Sequence, residues 1–160
     1  MQSRTLRWSA GGALALAVVL SFATFVPERG AIAEQHGIVA EERSQLMRSM
    51  GGAMRTLRGY LRGRNSVEEA ADAATVIATM AAKIPDAFPT GTGMGANPES
   101  EAKDIIWAEW EEFTAAAVLL GNKAAILEAA LTSGDASAAF SDLGTNGCGG
   151  CHNRFRETRN

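Results

Sequence analysis

The sequence predicts an all-α protein, an antiparallel up-down four-helix bundle, and three observations lead to this prediction. Apolar residues recur at three- and four-residue steps in long segments, as one buried face of a helix requires. Alanine is abundant and runs of β-branched residues are rare, which favours helix over strand. Glycine and proline interrupt the pattern at a few places, so that four helical segments result, three of them joined by short turns.

The first helix is predicted from about Glu34 to Arg62, with Gly63 as its stop. Its buried stripe consists of apolar residues at helical spacing, namely Leu46, Met50, Ala53, Leu57 and Leu61, widened by Met47 and Met54. Asn65 or Ser66 is then expected to cap a second helix that ends at Pro85.

The second half of the chain contains a loop and two further predicted helices. Residues 85–98 are rich in proline and glycine and are expected to form one long loop. A third helix is predicted from about Ser100 to Thr132, with any bend near Gly121 and with Trp107 and Trp110 as large core or interface anchors. The last helix is expected to be capped by Asp135 and to end near Arg159. Four glycines weaken it, Gly144, Gly147, Gly149 and Gly150.

The amino-terminal segment has the pattern of a secretory signal peptide over residues 1–33. Arg4 and Arg7 precede an uncharged, mostly apolar stretch over residues 8–27, and Ala-Ile-Ala at 31–33 is a small-residue cleavage site. We therefore expect a mature single domain over residues 34–160, located in the periplasm if the source is a bacterium. The alternative is an uncleaved membrane anchor, because the apolar run approaches the length that spans a bilayer.

The charge of the chain argues against nucleic-acid binding. The whole sequence has a formal net charge of −3, and removal of the basic amino-terminal segment leaves the remainder more acidic. Basic residues nevertheless crowd one segment, at Arg43, Arg48, Arg55, Arg58, Arg62 and Arg64. They form either a solvated helix face or a surface that docks a partner or pairs with anionic groups.

The chemistry of the chain is concentrated near its carboxyl terminus, at Cys148-Gly149-Gly150-Cys151-His152. Two cysteines separated by two residues and followed at once by a histidine are the attachment signature of a c-type haem. Thiols at this spacing lie on one side of a helical turn, from which they can add to the two vinyl groups of one porphyrin. His152 then offers its imidazole to the iron from the proximal face. The neighbouring glycines would let a flat macrocycle lie close to the backbone.

Three other interpretations of this motif are open. A thioredoxin-type redox pair opens a helix after a strand, and no strand-like segment precedes the motif. A structural zinc site needs four ligands, and the adjacent Cys151 and His152 could not easily both reach one metal. A disulfide would join a helix to itself and would leave His152 without a role. Haem attachment is the interpretation that accounts for every residue.

With these elements the chain resembles the cytochrome c′ family over about residues 38–156. The matching stretches are Arg43-Ser44-Gln45-Leu46-Met47, Ala87-Phe88-Pro89, Ile106-Trp107 leading to Phe113, Gly134-Asp135, and the segment from Cys148 to Arg156. The resemblance implies one covalently bound haem c. In one variety of the family the iron is five-coordinate and high-spin, and it binds nitric oxide or carbon monoxide. In low-spin relatives a methionine of the first helix binds the iron.

The resemblance also implies roles for individual residues. Met47 matches the position that faces the haem, either as a distal packing contact or as a second axial ligand to iron. Arg43 matches an arginine placed to pair with a haem propionate, and Arg156 one near the proximal histidine. Met50, three residues after Met47, is the alternative methionine, whereas His36 is not expected to bind iron.

The expected function is periplasmic electron transfer, with haem and iron binding. No set of acid, base and nucleophile points to an enzyme. The alternative is a high-spin protein that binds or scavenges nitric oxide or carbon monoxide at a five-coordinate haem, and a haem-stabilised structural subunit is a third class. The expected partners are redox proteins or small diatomic gases, with no membrane insertion after signal removal. The resemblance suggests a homodimer through the first two helices.

Overall fold

The structure, a computed structural model, describes residues 29–158, so that the predicted signal peptide lies almost entirely outside the described residues. Within that range the chain is helical and contains no β-strand, as predicted. The elements are α1 (Arg29–Tyr60), α2 (Val67–Ala82), a 3-10 turn (Pro85–Ala87), α3 (Ile105–Ala108), α4 (Trp110–Ala130), α5 (Ala136–Asp142), a π-helical turn (Leu143–Cys148) and α6 (Gly149–Phe155). They form the four rods of the bundle: α1, α2, α3 with α4, and α5 with the π turn and α6.

Helix α1 has the buried stripe that the sequence predicts. Met50, Ala53 and Leu57 are buried in the core shared with α2 and α4. The helix ends at Tyr60, so that Leu61 lies in the following turn and is exposed rather than buried. Its described part includes residues 29–33, which precede the expected mature terminus. Cleavage after residue 33 stays a prediction.

Helix α2 begins with a capping box, and Ser66 is the capping residue. The Ser66 hydroxyl accepts a hydrogen bond from the Glu69 amide (3.1 Å), and the Ser66 amide donates to the Glu69 carboxylate (2.7 Å). The other candidate, Asn65, supports this arrangement by donating to the same carboxylate. These contacts satisfy amides that the first turn of a helix otherwise leaves unpaired.

The third rod differs from its prediction at its start and at its break. Residues 100–104 are not helical, because Lys103 N donates to Phe155 O (3.0 Å) and Glu157 N donates to Glu101 O (2.8 Å). Between these two hydrogen bonds, Ala102 and Arg156 form an isolated antiparallel β-bridge. We call the pairing of residues 101–103 with 155–157 the clasp. The helix is interrupted at Glu109 (φ −123°, ψ 47°) and not at Gly121, which lies inside α4.

Two further expectations about side chains on the third rod are only partly met. Trp107 is half-buried and donates through Nε1 to Phe88 O (3.1 Å), which anchors the long loop. Trp110 is 37% exposed and therefore is not a core anchor, although its ring lies 5.5 Å from that of Phe113. By length and composition alone α4 could cross a membrane, but Phe113, Leu120 and Leu127 on its inner side belong to the core.

The last rod is interrupted by the π turn, which contains two of its four glycines, Gly144 and Gly147. Asp135 precedes α5 without a side-chain capping bond, and the rod ends at Phe155 rather than near Arg159. A Cβ added at Gly147 would lie 3.1 Å from Leu120 Cδ1 and 3.3 Å from Leu143 Cδ1. The absence of a side chain at Gly147 thus lets Leu120 of α4 pack closely, and close approach of a macrocycle to the glycines stays a prediction.

Candidate haem site

One cavity of about 510 Å³ lies between α1, the end of α2, the clasp and α6. Its volume is in the range of small-molecule and cofactor sites. Arg43 and Met47 on α1 border it, and so do Cys151, His152 and Arg156 from the last rod and its end. The fold therefore brings residues from both ends of the domain to one place.

The two cysteines lie within one helical turn at the junction of the π turn and α6, and they are not joined in a disulfide. Cys151 is buried and borders the cavity, whereas Cys148 is half-buried and packs against the core. Burial raises the pKa of Cys148, and burial together with the neighbouring Cys148 raises the pKa of Cys151 to about 11. Catalytic redox cysteines need a lowered pKa, so the environment disfavours a thioredoxin-type pair.

His152 is half-buried and borders the same cavity. Burial lowers its pKa, and the Arg156 charge lowers it further, whereas Glu101 acts in the opposite direction. The imidazole is therefore held neutral at pH 7, which is the form that binds a metal. Among residues 29–158 no group of three or more His, Cys, Asp or Glu side chains could hold a metal ion.

Of the candidate distal residues, only Met47 borders the cavity. Met50, the alternative methionine, is 7% exposed and belongs to the core cluster. Its side chain packs in the core and does not border the cavity. His36 does not border the cavity, and its carbonyl oxygen accepts a hydrogen bond from Asn97 Nδ2 (3.3 Å).

Arg43 is bound to the long loop, a contact that the sequence did not predict. Its Nε donates to Ala87 O (2.7 Å), and its Nη1 donates to Thr92 O (2.8 Å). Its Nη2 donates to the Thr92 hydroxyl. The guanidinium also lies 4.2 Å from the centre of the Phe88 ring, in cation–π geometry. This side chain therefore ties α1 to the start of the loop.

The charge of Arg43 is an argument that the cavity accepts an anionic group. The residue is 6% exposed, and burial lowers its pKa to about 10. No carboxylate of the described residues forms an ion pair with it, and a buried charge without a partner is costly. Because three of its five N–H donors are used, two remain for a ligand. A haem with its propionates fits this requirement.

Arg156 borders the cavity beside His152, and its Nε donates to Glu101 Oε2 (2.7 Å). Glu101 and Ala102 of the clasp also border the cavity, and so does Ser100, which directly precedes the clasp. Sequence reasoning missed these residues, because they reach the site only through backbone pairing with a segment more than fifty residues later. No local pattern in the sequence signals that pairing.

Comparison with known proteins agrees with this geometry. The family model for cytochrome c′ matches residues 39–156. The chain is 37% identical over 120 residues to a cytochrome c′ of Pararhodospirillum photometricum, covering 73% of this chain and 94% of the relative. It is 36% identical over 120 residues to a cytochrome c-556 of Agrobacterium tumefaciens strain B2A, covering 72% and 94%.

A solved structure shares the fold as well. Cytochrome c′ from Thermochromatium tepidum superposes with a TM-score of 0.64 at 27% identity, covering 75% of this chain and 95% of that one. The attachment motif on α6, the four-rod bundle and the match over residues 39–156 lead to one conclusion. The chain belongs to the cytochrome c′ family, and it is a c-type cytochrome with an electron-transfer role that carries haem c on Cys148 and Cys151.

Proposed function

We propose that this protein is a periplasmic electron carrier with His152 as the proximal and Met47 as the distal axial ligand. The bound haem iron supplies the chemistry by changing between its ferric and ferrous states. The observation that carries the proposal is that Met47 on α1 and His152 on α6 border one cavity. Met/His ligation closes the iron to other ligands and raises its reduction potential, which suits a carrier.

The surrounding residues have roles in holding and tuning the cofactor. Phe88, Phe113 and Phe155 border the cavity, and their rings pack on one another, with centroids 4.8 Å apart for Phe88 and Phe113 and 5.3 Å apart for Phe113 and Phe155. This apolar wall excludes water, and solvent exclusion is one of the factors that set a haem potential. Arg43 supplies a positive charge for a propionate.

The test is one absorption spectrum of the reduced protein, recorded with and without carbon monoxide. A Met47–iron bond predicts a low-spin spectrum that carbon monoxide leaves unchanged. Conversion to a carbonyl form would overturn the ligand assignment. It would favour the alternative function, binding or scavenging of nitric oxide or carbon monoxide at a five-coordinate, high-spin haem.

The location in the periplasm rests on the proposed signal peptide, residues 1–33. When the whole chain is produced together with a haem-maturation apparatus, the purified protein should begin at Glu34, and its mass should exceed that of the polypeptide by one haem. A membrane-bound product that retains residues 1–33 would instead identify an uncleaved anchor.

We also propose a homodimer formed through α1 and α2. A groove of about 450 Å³ lies between these helices, and small residues border it, including Ser49, Gly52 and Ala53. A two-fold arrangement could pair α1 arginines such as Arg55 with α2 carboxylates such as Asp72, both exposed.

Sedimentation analysis tests this assembly. Replacement Gly52→Arg should fill the groove and give a monomer, whereas Val118→Arg, on the exposed side of α4, should leave the dimer intact. A wild-type protein that is monomeric at every concentration would overturn the dimer and leave the carrier proposal standing.

A further inference from the structure

A carboxylate of the loop before α3 is paired with the arginine beside the proximal histidine. Glu101 Oε2 accepts a hydrogen bond from Arg156 Nε at 2.7 Å. Both residues border the cavity that His152 borders. Sequence reasoning placed Arg156 near the haem and gave Glu101 no role.

The backbone of the clasp fixes this pair in place. Glu101 O accepts from Glu157 N, Ala102 is bridged to Arg156, and Lys103 N donates to Phe155 O. Both partners of the ion pair thus belong to the paired backbone segments of the clasp, which fix the distance between them. An exposed ion pair alone has little energetic value, but here its geometry is set by other bonds.

The two charges act on the same place with opposite signs. Both side chains border the cavity that His152 borders, so both charges lie on the His152 side of the site. A positive charge near a haem favours the reduced iron and a negative charge favours the oxidised iron, by simple Coulomb interaction. When both side chains are present, their opposite effects on the reduction potential largely cancel.

We propose that Glu101 is a positioning residue for electron transfer, which holds the Arg156 guanidinium at the His152 side of the haem and cancels its charge at the iron. This inference rests on the proposed role of His152 as an axial ligand. It does not depend on the identity of the distal ligand.

The test is a double-mutant cycle on the holoprotein, read as the midpoint potential. Glu101→Gln should raise the potential, because it leaves the Arg156 charge uncancelled. Arg156→Gln should lower it, because it leaves the carboxylate. The double variant should lie close to the wild type, so that the two shifts cancel. Single shifts in the same direction would overturn the proposal.

Two controls separate charge from structure. Glu157→Gln removes an equal charge from the other ion pair of the clasp, Lys103–Glu157 (3.7 Å), and neither of these residues borders the cavity. Its shift should be smaller than that of Glu101→Gln, and an equal or larger shift would overturn the proposal. Glu101→Asp keeps the charge and should keep the potential near the wild-type value, and a rise as large as for Glu101→Gln would also overturn it.

The iron–histidine stretching band is a readout that does not involve activity, and it is recorded in the ferrous Met47→Ala background, because the band is seen only when the iron is five-coordinate. In that background it should be present with and without the Glu101 and Arg156 substitutions, because His152 is unchanged. Its absence in Met47→Ala itself would contradict the axial role of His152 and with it the proposed function. A failed charge cycle in a protein that retains the band would reject Glu101 alone.

Discussion

Arg43 on α1 is bonded to Thr92, 49 residues later, through both the carbonyl oxygen (2.8 Å) and the hydroxyl. Thr92 in turn donates from its hydroxyl to Pro89 O (2.6 Å). One buried side chain thus fixes the helix that borders the haem cavity against the longest loop of the described chain. The stability of that loop and the shape of the cavity are therefore linked.

Replacement Arg43→Lys should reduce the free energy of unfolding by about 3 kcal/mol. A lysine ammonium cannot reproduce the fork that reaches Ala87 O and Thr92 O together, so charged hydrogen bonds are lost. Urea denaturation measures the loss, and faster amide exchange at Met94, whose amide donates to Ala102 O, would locate it in the loop. Arg55→Lys, exposed on the same helix, is the control and should change stability by less than about 0.5 kcal/mol.

Met47→Ala should convert a low-spin iron to a high-spin iron that binds carbon monoxide. Met50→Ala should instead keep the spin state and reduce the free energy of unfolding by about 2–4 kcal/mol, because Met50 is buried in the core. Absorption spectra and denaturation curves of the two variants make the comparison. If Met50→Ala changed the spin state and Met47→Ala did not, Met50 rather than Met47 would be the iron ligand.

Replacement of both cysteines should abolish covalent haem attachment, whereas replacement of one should not. Cys148→Ser and Cys151→Ser should each retain the haem through one thioether, and the double variant should lose it to acidified acetone. Mass spectrometry under denaturing conditions gives the added mass directly. Retention of haem mass in the double variant would contradict attachment through these cysteines.

Gly147→Ala should destabilise the protein by about 1–3 kcal/mol, because its Cβ would press on Leu120 and Leu143. Gly121→Ala is the matched control inside α4. Its Cβ would lie 3.7 Å from Ala81 Cβ, an ordinary contact, and alanine is the better helix former by about 1 kcal/mol. Thermal unfolding should therefore shift in opposite directions for the two variants.

Asp142 should make the fold sensitive to acid. A hydrogen bond from Lys123, and a second from Asn146, hold the pKa of the Asp142 carboxyl below its usual range. A carboxyl group whose pKa is lower in the folded than in the unfolded state stabilises the fold at pH values above the unfolded pKa, about 3.9. This stabilisation is lost as the pH falls through the lower pKa of the folded state. Asp142→Asn should thus lower the melting temperature at neutral pH, and the difference should shrink as the pH falls below about 4. A constant difference would contradict the pairing.

The features that the sequence predicted are those that depend on neighbours in the chain. The capping box at Ser66 and Glu69, the stripe through Leu57 and the motif from Cys148 to His152 all lie within one or two helical turns. Periodicity and spacing encode such features directly. The four-rod bundle follows from them, because the buried stripes have to face one another.

The features that were missed depend on contacts between distant segments. Residues 100–104 have helical composition, but the bonds of the clasp to Phe155 and Glu157 hold them extended. The family resemblance implies that Arg43 pairs with a haem propionate. Three of its N–H donors nevertheless bind oxygens of the long loop, and the sequence does not show that these oxygens lie nearby. The π turn had a local signal in its glycines, but their packing against Leu120 appears only in three dimensions.

The clasp has a consequence for truncation of the chain. Its second half, residues 155–157, follows the two cysteines. A chain that stopped after His152 would keep its thiols and imidazole but would lack the Phe155 ring and the Arg156–Glu101 pair. The attachment motif alone is therefore not the whole site, and the short segment behind it supplies part of the wall around the cofactor.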